Sequence, residues 1–96
     1  MIAVIAGTPT DTQMGVDLLE KNGRAAKGYF VSRTPQEQSL LQVVYPEKLE
    51  NLVRQVMIEA KNQGAEVLYV YCNSLAAAVD LEKLASELSL PLITPL

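Results

Sequence analysis

Three consecutive residues, Cys72, Asn73 and Ser74, place a thiol beside two side chains that donate hydrogen bonds. A thiolate is a nucleophile and a base, and neighbouring donors stabilise its charge or hold a carboxylate. An apolar run at residues 67–71 precedes them, which predicts a buried strand, and a helix-forming run follows at 75–79. We therefore expect the three residues at the carboxyl end of a strand, where open α/β sheets bind ligands. Unpaired N–H groups at the start of the next helix would favour a thiolate and anionic ligands there.

A second group of polar residues follows the apolar run at residues 2–6. Residues 7–9 (Gly-Thr-Pro) indicate a turn, and Thr10 with Gln13 matches a capping box in which Thr10 is the N-cap. That capping role accounts for Thr10 and Asp11 without any ligand.

The segment after the predicted second strand (residues 25–32) is also polar. Ser32, Arg33 and Thr34 would lie at the same edge of the sheet as Cys72. Arg33 has two interpretations, as the partner of a substrate carboxylate or as a solvated surface arginine. Thr34 begins a further capping-box pattern with a proline at the first helical position, which predicts a short helix.

The elements that must position these residues alternate between strands and helices. Strands are predicted at residues 2–6, 25–32, 67–71 and 90–94, and helices at 10–22, 34–44, 46–63 and 74–88. Gly23 and Gly64 are expected to end the first and third helices, and Asp80 to restart the last one. The clearest helical spacing is that of Leu49, Leu52, Val53, Val56, Met57 and Ala60. This order predicts one three-layer α/β/α domain with a four-stranded, mainly parallel sheet.

Composition excludes several classes of function. The net charge is −3 and no basic cluster occurs, so nucleic acid is not an expected partner. One cysteine and no histidine exclude an internal disulfide and a Cys/His zinc site, and no metal is expected. The apolar N-terminal segment is too short for a signal peptide or a membrane span, so we expect no membrane partner and a cytoplasmic location.

Four segments together resemble the first, N-terminal lobe of the aspartate/glutamate/hydantoin racemase superfamily. They are residues 2–11 (IAVIAGTPTD), 61–66 (KNQGAE), 71–74 (YCNS) and 90–93 (LPLI). Only the Cys-Asn-Ser motif after the buried strand is fairly specific. The chain departs from the pattern at Ala6-Gly7, where glutamate racemases have an Asp-Ser pair, and at Ala76, where the aspartate branch often has a histidine.

The resemblance implies the chemistry and the site. Racemases of this superfamily need no cofactor and use two cysteines, one from each of two lobes, on opposite faces of the substrate's α-carbon. By this resemblance Cys72 is the first-lobe acid/base, and the substrate is an acidic amino acid or a related small carboxylate. The resemblance assigns substrate binding to Thr8, Thr10, Asp11, Asn73 and Ser74.

The second thiol is absent from this sequence. Removal of an α-proton requires a base on one side of the carbon and an acid on the other. We therefore predict that residues 1–96 form the N-terminal half of a two-lobe protein and cannot racemise a substrate alone. Alternatively, a homodimer would bring two copies of Cys72 together across a symmetric cleft.

Simpler interpretations stay open beside these. Cys72 would be an inert, buried small hydrophobe, and Asn73 and Ser74 would merely cap a helix. The whole domain would then be a non-catalytic small-ligand-binding or nucleotide-binding-like module. Residues 7–10 have neither the glycine spacing of a dinucleotide fingerprint nor the lysine of a P-loop, which disfavours the nucleotide version.

Overall fold

The computed structural model describes residues 1–94 and contains four strands and five helices over that range. The strands are β1 (Ile2–Ala6), β2 (Ala26–Phe30), β3 (Val67–Val70) and β4 (Leu92–Ile93). The helices are α1 (Pro9–Lys21), α2 (Pro35–Val43), α3 (Pro46–Asn62), α4 (Asn73–Ala78) and α5 (Leu81–Glu87). Within the described range no helix is both long enough and apolar enough to cross a membrane.

The four strands form one sheet in the order β2-β1-β3-β4, and every neighbouring pair is parallel. The predicted α/β class and parallel sheet are confirmed. After β1 the chain passes to β2 on one side of β1, and after β2 it crosses to β3 on the other side of β1. The carboxyl ends of β1 and β3 therefore flank the point at which the strand order reverses, which is where open sheets of this kind form a ligand crevice.

The main core lies between one face of the sheet and α3, α4 and α5. Leu49, Val53, Met57 and Ala60, on one face of α3, have no exposed surface and pack in the same cluster as Ile5 from β1. The spacing that predicted an amphipathic α3 is thereby confirmed, because its apolar stripe is the buried face. Leu75 from α4 and Leu84 from α5 complete this layer.

Helix α1 covers the opposite face of β1 and β2, and two glycines permit its close approach. A Cβ on Gly15 would lie 2.7 Å from Cγ1 of Val4, and a Cβ on Gly28 would lie 2.5 Å from Cγ2 of Thr12. Gly28 weakens β2 as an isolated strand, yet in the fold it makes the room that Thr12 occupies. With α1 on this face, the domain has three layers.

The strand β3 is fully buried on only one face. Leu68 and Val70 have no exposed surface, whereas Val67 and Tyr69 are half-buried. The prediction of a strand buried on both faces was therefore wrong for the α1 side, because α1 packs over β1 and β2 and leaves part of β3 open.

The start of α1 differs from the prediction. The N-cap is Thr8 rather than Thr10, and its side chain accepts a hydrogen bond from the Asp11 N–H. Pro9 occupies the first helical position, where its missing N–H costs nothing and its fixed φ suits the helix. Thr34 and Pro35 begin α2 in the same way, as predicted.

The predicted helix at residues 74–88 is two helices. Asp80 caps α5 by accepting a hydrogen bond from the Lys83 N–H at 3.2 Å, which confirms the predicted restart. Gly23 and Gly64, with φ of 77° and 96°, follow the ends of α1 and α3 in the left-handed conformation, also as predicted. The predicted strands at 25–32, 67–71 and 90–94 are each shorter than expected, and the last has only two residues.

Candidate functional site

Cys72 lies where the loops after β1 and β3 meet. It follows β3 by two residues and is the N-cap of α4, while Gly7 and Thr8 follow β1 on the adjacent strand. The position at the carboxyl ends of two neighbouring parallel strands is the one that the sequence pattern predicts.

Several hydrogen-bond donors converge on the Cys72 sulfur. The Gln38 Nε2 and the Ser74 Oγ each lie 3.4 Å from Sγ. Burial alone would raise the pKa of the Cys72 thiol, but the hydrogen bonds to sulfur outweigh burial and lower its pKa below the ordinary value. Besides these two side chains, the donors are the backbone N–H groups of Leu75 and Gly7. The site therefore favours a thiolate.

Part of this stabilisation comes from the expected source, because the Leu75 N–H, which helps to lower the pKa of the thiol, belongs to the first turn of α4. Helix α4 has only six residues, so the dipole at its start is small. Asn73 and Ser74 are the first two residues of the helix rather than its cap, so simple N-capping does not explain them. The Gln38 side chain and the Gly7 N–H, from two other parts of the chain, add to the contribution of Ser74 and Leu75.

A groove of about 540 Å³ opens beside the thiol. Its polar lining consists of Asp11, Cys72, Asn73 and Ser74, and its apolar lining of Met14, Tyr69 and Tyr71. The two tyrosine rings meet edge to face, with centroids 5.8 Å apart. No lysine or arginine is among these lining residues, so the single fixed charge there is the Asp11 carboxylate.

The predicted residues of the first loop take different positions. Asp11 lines the groove, and the buried Thr8 hydroxyl donates a hydrogen bond to its Oδ2 at 3.3 Å. Thr10 is exposed on α1 and is not part of the groove lining. Thr8 therefore positions a carboxylate at the groove. Substrate binding by Thr8, Thr10, Asp11, Asn73 and Ser74 stays a prediction.

The polar segment after β2 does not line this groove. Ser32 is buried and its hydroxyl donates to the Gly7 carbonyl oxygen. The Arg33 guanidinium lies over the Phe30 ring, 5.8 Å from its centroid. Thr34 caps α2 through the Glu37 N–H at 3.1 Å. The surface interpretation of Arg33 fits these contacts better than a role at the groove.

Gln38 was not predicted as a site residue. It belongs to α2, is buried, and reaches both Cys72 and Ser74. The signal for it in the sequence is its position three residues before Leu41, the buried apolar residue of α2. A polar residue on the buried face of a short helix needs hydrogen-bond partners, and here the partners are at the site.

Among residues 1–94 no group of three or more His, Cys, Asp or Glu side chains could hold a metal ion. A scan against protein-family models finds none that matches the chain, and a search of curated proteins also finds no match. The resemblance to the racemase superfamily therefore rests on the motif residues themselves.

Proposed function

We propose that this domain supplies one half of a cofactor-independent, racemase-like isomerase in which Cys72 transfers a proton at the α-carbon of a small amino acid or related carboxylate. The observation that carries the proposal is the set of donors around Sγ, which favours a thiolate beside an open groove. A buried cysteine that served only as a small hydrophobe would need no such donors.

In the proposed half-reaction the Cys72 thiolate removes the α-proton and becomes a thiol. The electron pair of the broken C–H bond stays on the substrate and is delocalised into its carboxylate. Asn73 and Ser74 would donate hydrogen bonds to that carboxylate, and Asp11 would accept one from the substrate ammonium group. Return of the proton from the same thiol restores the original stereoisomer.

Inversion needs an acid on the opposite face of the carbon. The chain has one cysteine and no histidine, so we expect the second acid to come from another lobe or from a second copy of the chain. In the homodimer version the second acid is the partner's own thiol, and the two sites are related by symmetry.

The lining of the groove also bears on the substrate side chain. Asp11 attracts an ammonium group and repels a second carboxylate, and no cation is among the lining residues to offset this. Met14, Tyr69 and Tyr71 offer an apolar wall instead. If the substrate is acidic, the completing lobe must therefore provide the positive charge for its side chain.

A nucleotide-binding-like module has less support. The first turn of α1 holds the acidic Asp11, and the Thr8 side chain already accepts from the Asp11 N–H. The Gly7 N–H is among the groups that lower the pKa of the Cys72 thiol. These contacts leave a phosphate with fewer free donors and an unfavourable charge at the first loop.

The experiment that tests the proposal is exchange of the α-proton with solvent. The purified chain is incubated in D₂O with a panel of amino acids and 2-hydroxy acids, and NMR follows the loss of the α-proton signal while chiral chromatography follows inversion. We expect the monomer to exchange the α-proton without inversion, because a single thiol can return a proton only to the face from which it removed one; the homodimer version predicts inversion as well. Exchange should stop in Cys72→Ala.

Three other outcomes would contradict the proposal or part of it. Exchange that persists in Cys72→Ala would contradict the role of the thiol. Inversion by the monomeric chain, lost in Cys72→Ala, would contradict the need for a second lobe. Absence of exchange across the panel would overturn the proposal in favour of a binding module.

A further inference from the structure

The Gln38 side chain contacts two side chains of the Cys72 site from a distant part of the sequence. Its Nε2 lies 3.4 Å from the Cys72 Sγ and 3.1 Å from the Ser74 Oγ, across 34 and 36 residues of sequence. The side chain is buried, with 8% of the residue exposed. A buried amide that points at a thiol and a hydroxyl restricts where both of those groups can place their protons.

The geometry fixes the direction of the hydrogen bonds. The amide NH₂ only donates, so one N–H is directed at the sulfur and the other at the Ser74 Oγ. Because the Ser74 oxygen accepts from Gln38, its own proton is free to be donated to the sulfur 3.4 Å away. Both side chains can therefore present donors to Sγ, an arrangement that suits a thiolate.

Gly7 makes the placement of the Gln38 amide possible. A Cβ at residue 7 would overlap Oε1, Cδ and Nε2 of Gln38, far inside any van der Waals contact. The amide therefore lies against the α-carbon of Gly7, in space that any other residue would fill. Replacing Gly7 by alanine would displace the amide but keep the backbone N–H of residue 7, which also helps to lower the pKa of the Cys72 thiol.

We propose that Gln38 is a positioning residue that orients the Cys72 thiolate and directs the Ser74 proton towards it, and that residue 7 is glycine in order to admit the Gln38 amide. The functional meaning of this inference rests on the acid/base role proposed for Cys72. The inference itself concerns only the protonation and orientation of the Cys72 sulfur, and its protonation can be measured without a substrate.

The test is the pH dependence of the rate at which iodoacetamide alkylates Cys72. The thiolate is the reacting species, so the midpoint of the profile reports the pKa of the thiol. We expect Gln38→Ala to move the midpoint up by about one pH unit, which makes alkylation about tenfold slower at pH values below the midpoint. Gln36→Ala, an exposed position on the same helix, should leave the profile unchanged.

Gly7→Ala and the double variant Gly7→Ala/Gln38→Ala sharpen the test. If Gly7 acts by admitting the amide, Gly7→Ala should shift the midpoint about as far as Gln38→Ala does. The double variant should then shift it no further, because the amide can be lost only once. Independent, additive shifts would overturn the proposed coupling, and an unchanged midpoint in Gln38→Ala would overturn the positioning role itself.

Two further measurements keep the result interpretable. Far-UV circular dichroism and urea midpoints establish that each variant folds, and Gln38→Met, which retains the bulk but has no donor, replaces Gln38→Ala if the smaller side chain unfolds α2. Exchange of substrate α-protons is a separate readout. A Gln38-dependent midpoint without any exchange would keep this inference and remove the proposed function, whereas exchange with a Gln38-independent midpoint would do the reverse.

Discussion

The packing of α1 on β2 gives the sharpest prediction about the scaffold, through Gly28. A Cβ at residue 28 would lie 2.5 Å from Cγ2 and 3.7 Å from Cβ of Thr12, and 3.3 Å from Cγ2 of Val16. Carbon atoms in good contact are about 3.5–4.0 Å apart, so the Gly28→Ala methyl requires a shift of about 1 Å. Thr12 cannot turn aside freely, because its hydroxyl donates to the Thr8 carbonyl oxygen at 2.7 Å.

The net effect is the difference between two terms. Overpacking of this kind costs about 1–3 kcal/mol. Alanine also restricts the unfolded chain and suits a strand better than glycine, which offsets about 0.5–1 kcal/mol. We therefore expect Gly28→Ala to lower the free energy of unfolding by about 0–2.5 kcal/mol.

A second substitution should reverse this effect. Thr12→Ser removes Cγ2 and keeps the hydroxyl, and alone it should cost about 1 kcal/mol for the lost methyl contacts. In the double variant the methyl introduced at residue 28 can occupy the vacated space, so we expect a favourable coupling of about 1–3 kcal/mol between the two positions. Urea unfolding of the four proteins, followed by circular dichroism, measures the cycle.

Gly15→Ala provides the matched control, because Gly15 lies on α1 together with Thr12. Its Cβ would press on Val4, 2.7 Å away, rather than on Thr12, so Thr12→Ser should not rescue it. If the costs of Thr12→Ser and Gly28→Ala are additive, or if Thr12→Ser rescues Gly15→Ala as well as it rescues Gly28→Ala, then the 2.5 Å approach is not the source of the destabilisation.

Three further predictions concern charge and helix caps. Because the folded-state pKa of Cys72 is lowered, its thiolate adds stability that is complete above the ordinary thiol pKa and is lost as pH falls through the folded pKa. The difference in unfolding free energy between the native chain and Cys72→Ala should rise with pH across that interval; a flat difference in urea titrations would contradict the lowered pKa. Asp11→Asn should increase the ratio of the alkylation rates with anionic iodoacetate and with neutral iodoacetamide by about two- to fivefold, whereas Asp17→Asn should not change this ratio. The same ratio in both variants would place Asp11 too far from the sulfur to act. Thr34→Ala and Asp80→Ala should each lower the free energy of unfolding by about 1 kcal/mol in the same titrations. The conservative variants Thr34→Ser and Asp80→Asn should keep most of the stability that the alanine variants lose. Losses of equal size in the conservative variants would argue against capping.

Much of the fold follows from local patterns. The apolar spacing along α3, the cap at Thr34 and the restart at Asp80 all predicted elements that the structure contains. Each signal depends on residues within one or two turns, so the sequence carries it without tertiary information. The error at the start of α1 was also local, since Thr8-Pro9 begins that helix by the same Thr-Pro pattern that begins α2 at Thr34-Pro35.

The open side of β3 could not be predicted in this way. Residues 67–71 are apolar throughout, which is typical of a strand covered on both faces. Coverage depends on where α1 crosses the sheet, and Gly15 and Gly28 allow it to settle over β1 and β2. Tyr69 and Tyr71 consequently form a groove wall rather than part of a closed core.

The sequence by itself determined the order of the elements, the parallel sheet and the placement of Cys72 at a strand's carboxyl end, because hydrophobic period and capping are properties of short segments. Only the tertiary structure decided what surrounds the sulfur. Gln38 reaches Cys72 across 34 residues, and Gly7 leaves the space in which the Gln38 amide lies. Such contacts arise from the packing of α2 against two loops, and no periodicity within one segment encodes them. The lowered pKa of Cys72 is thus a property of the folded chain, although the cysteine that carries it is visible in the sequence.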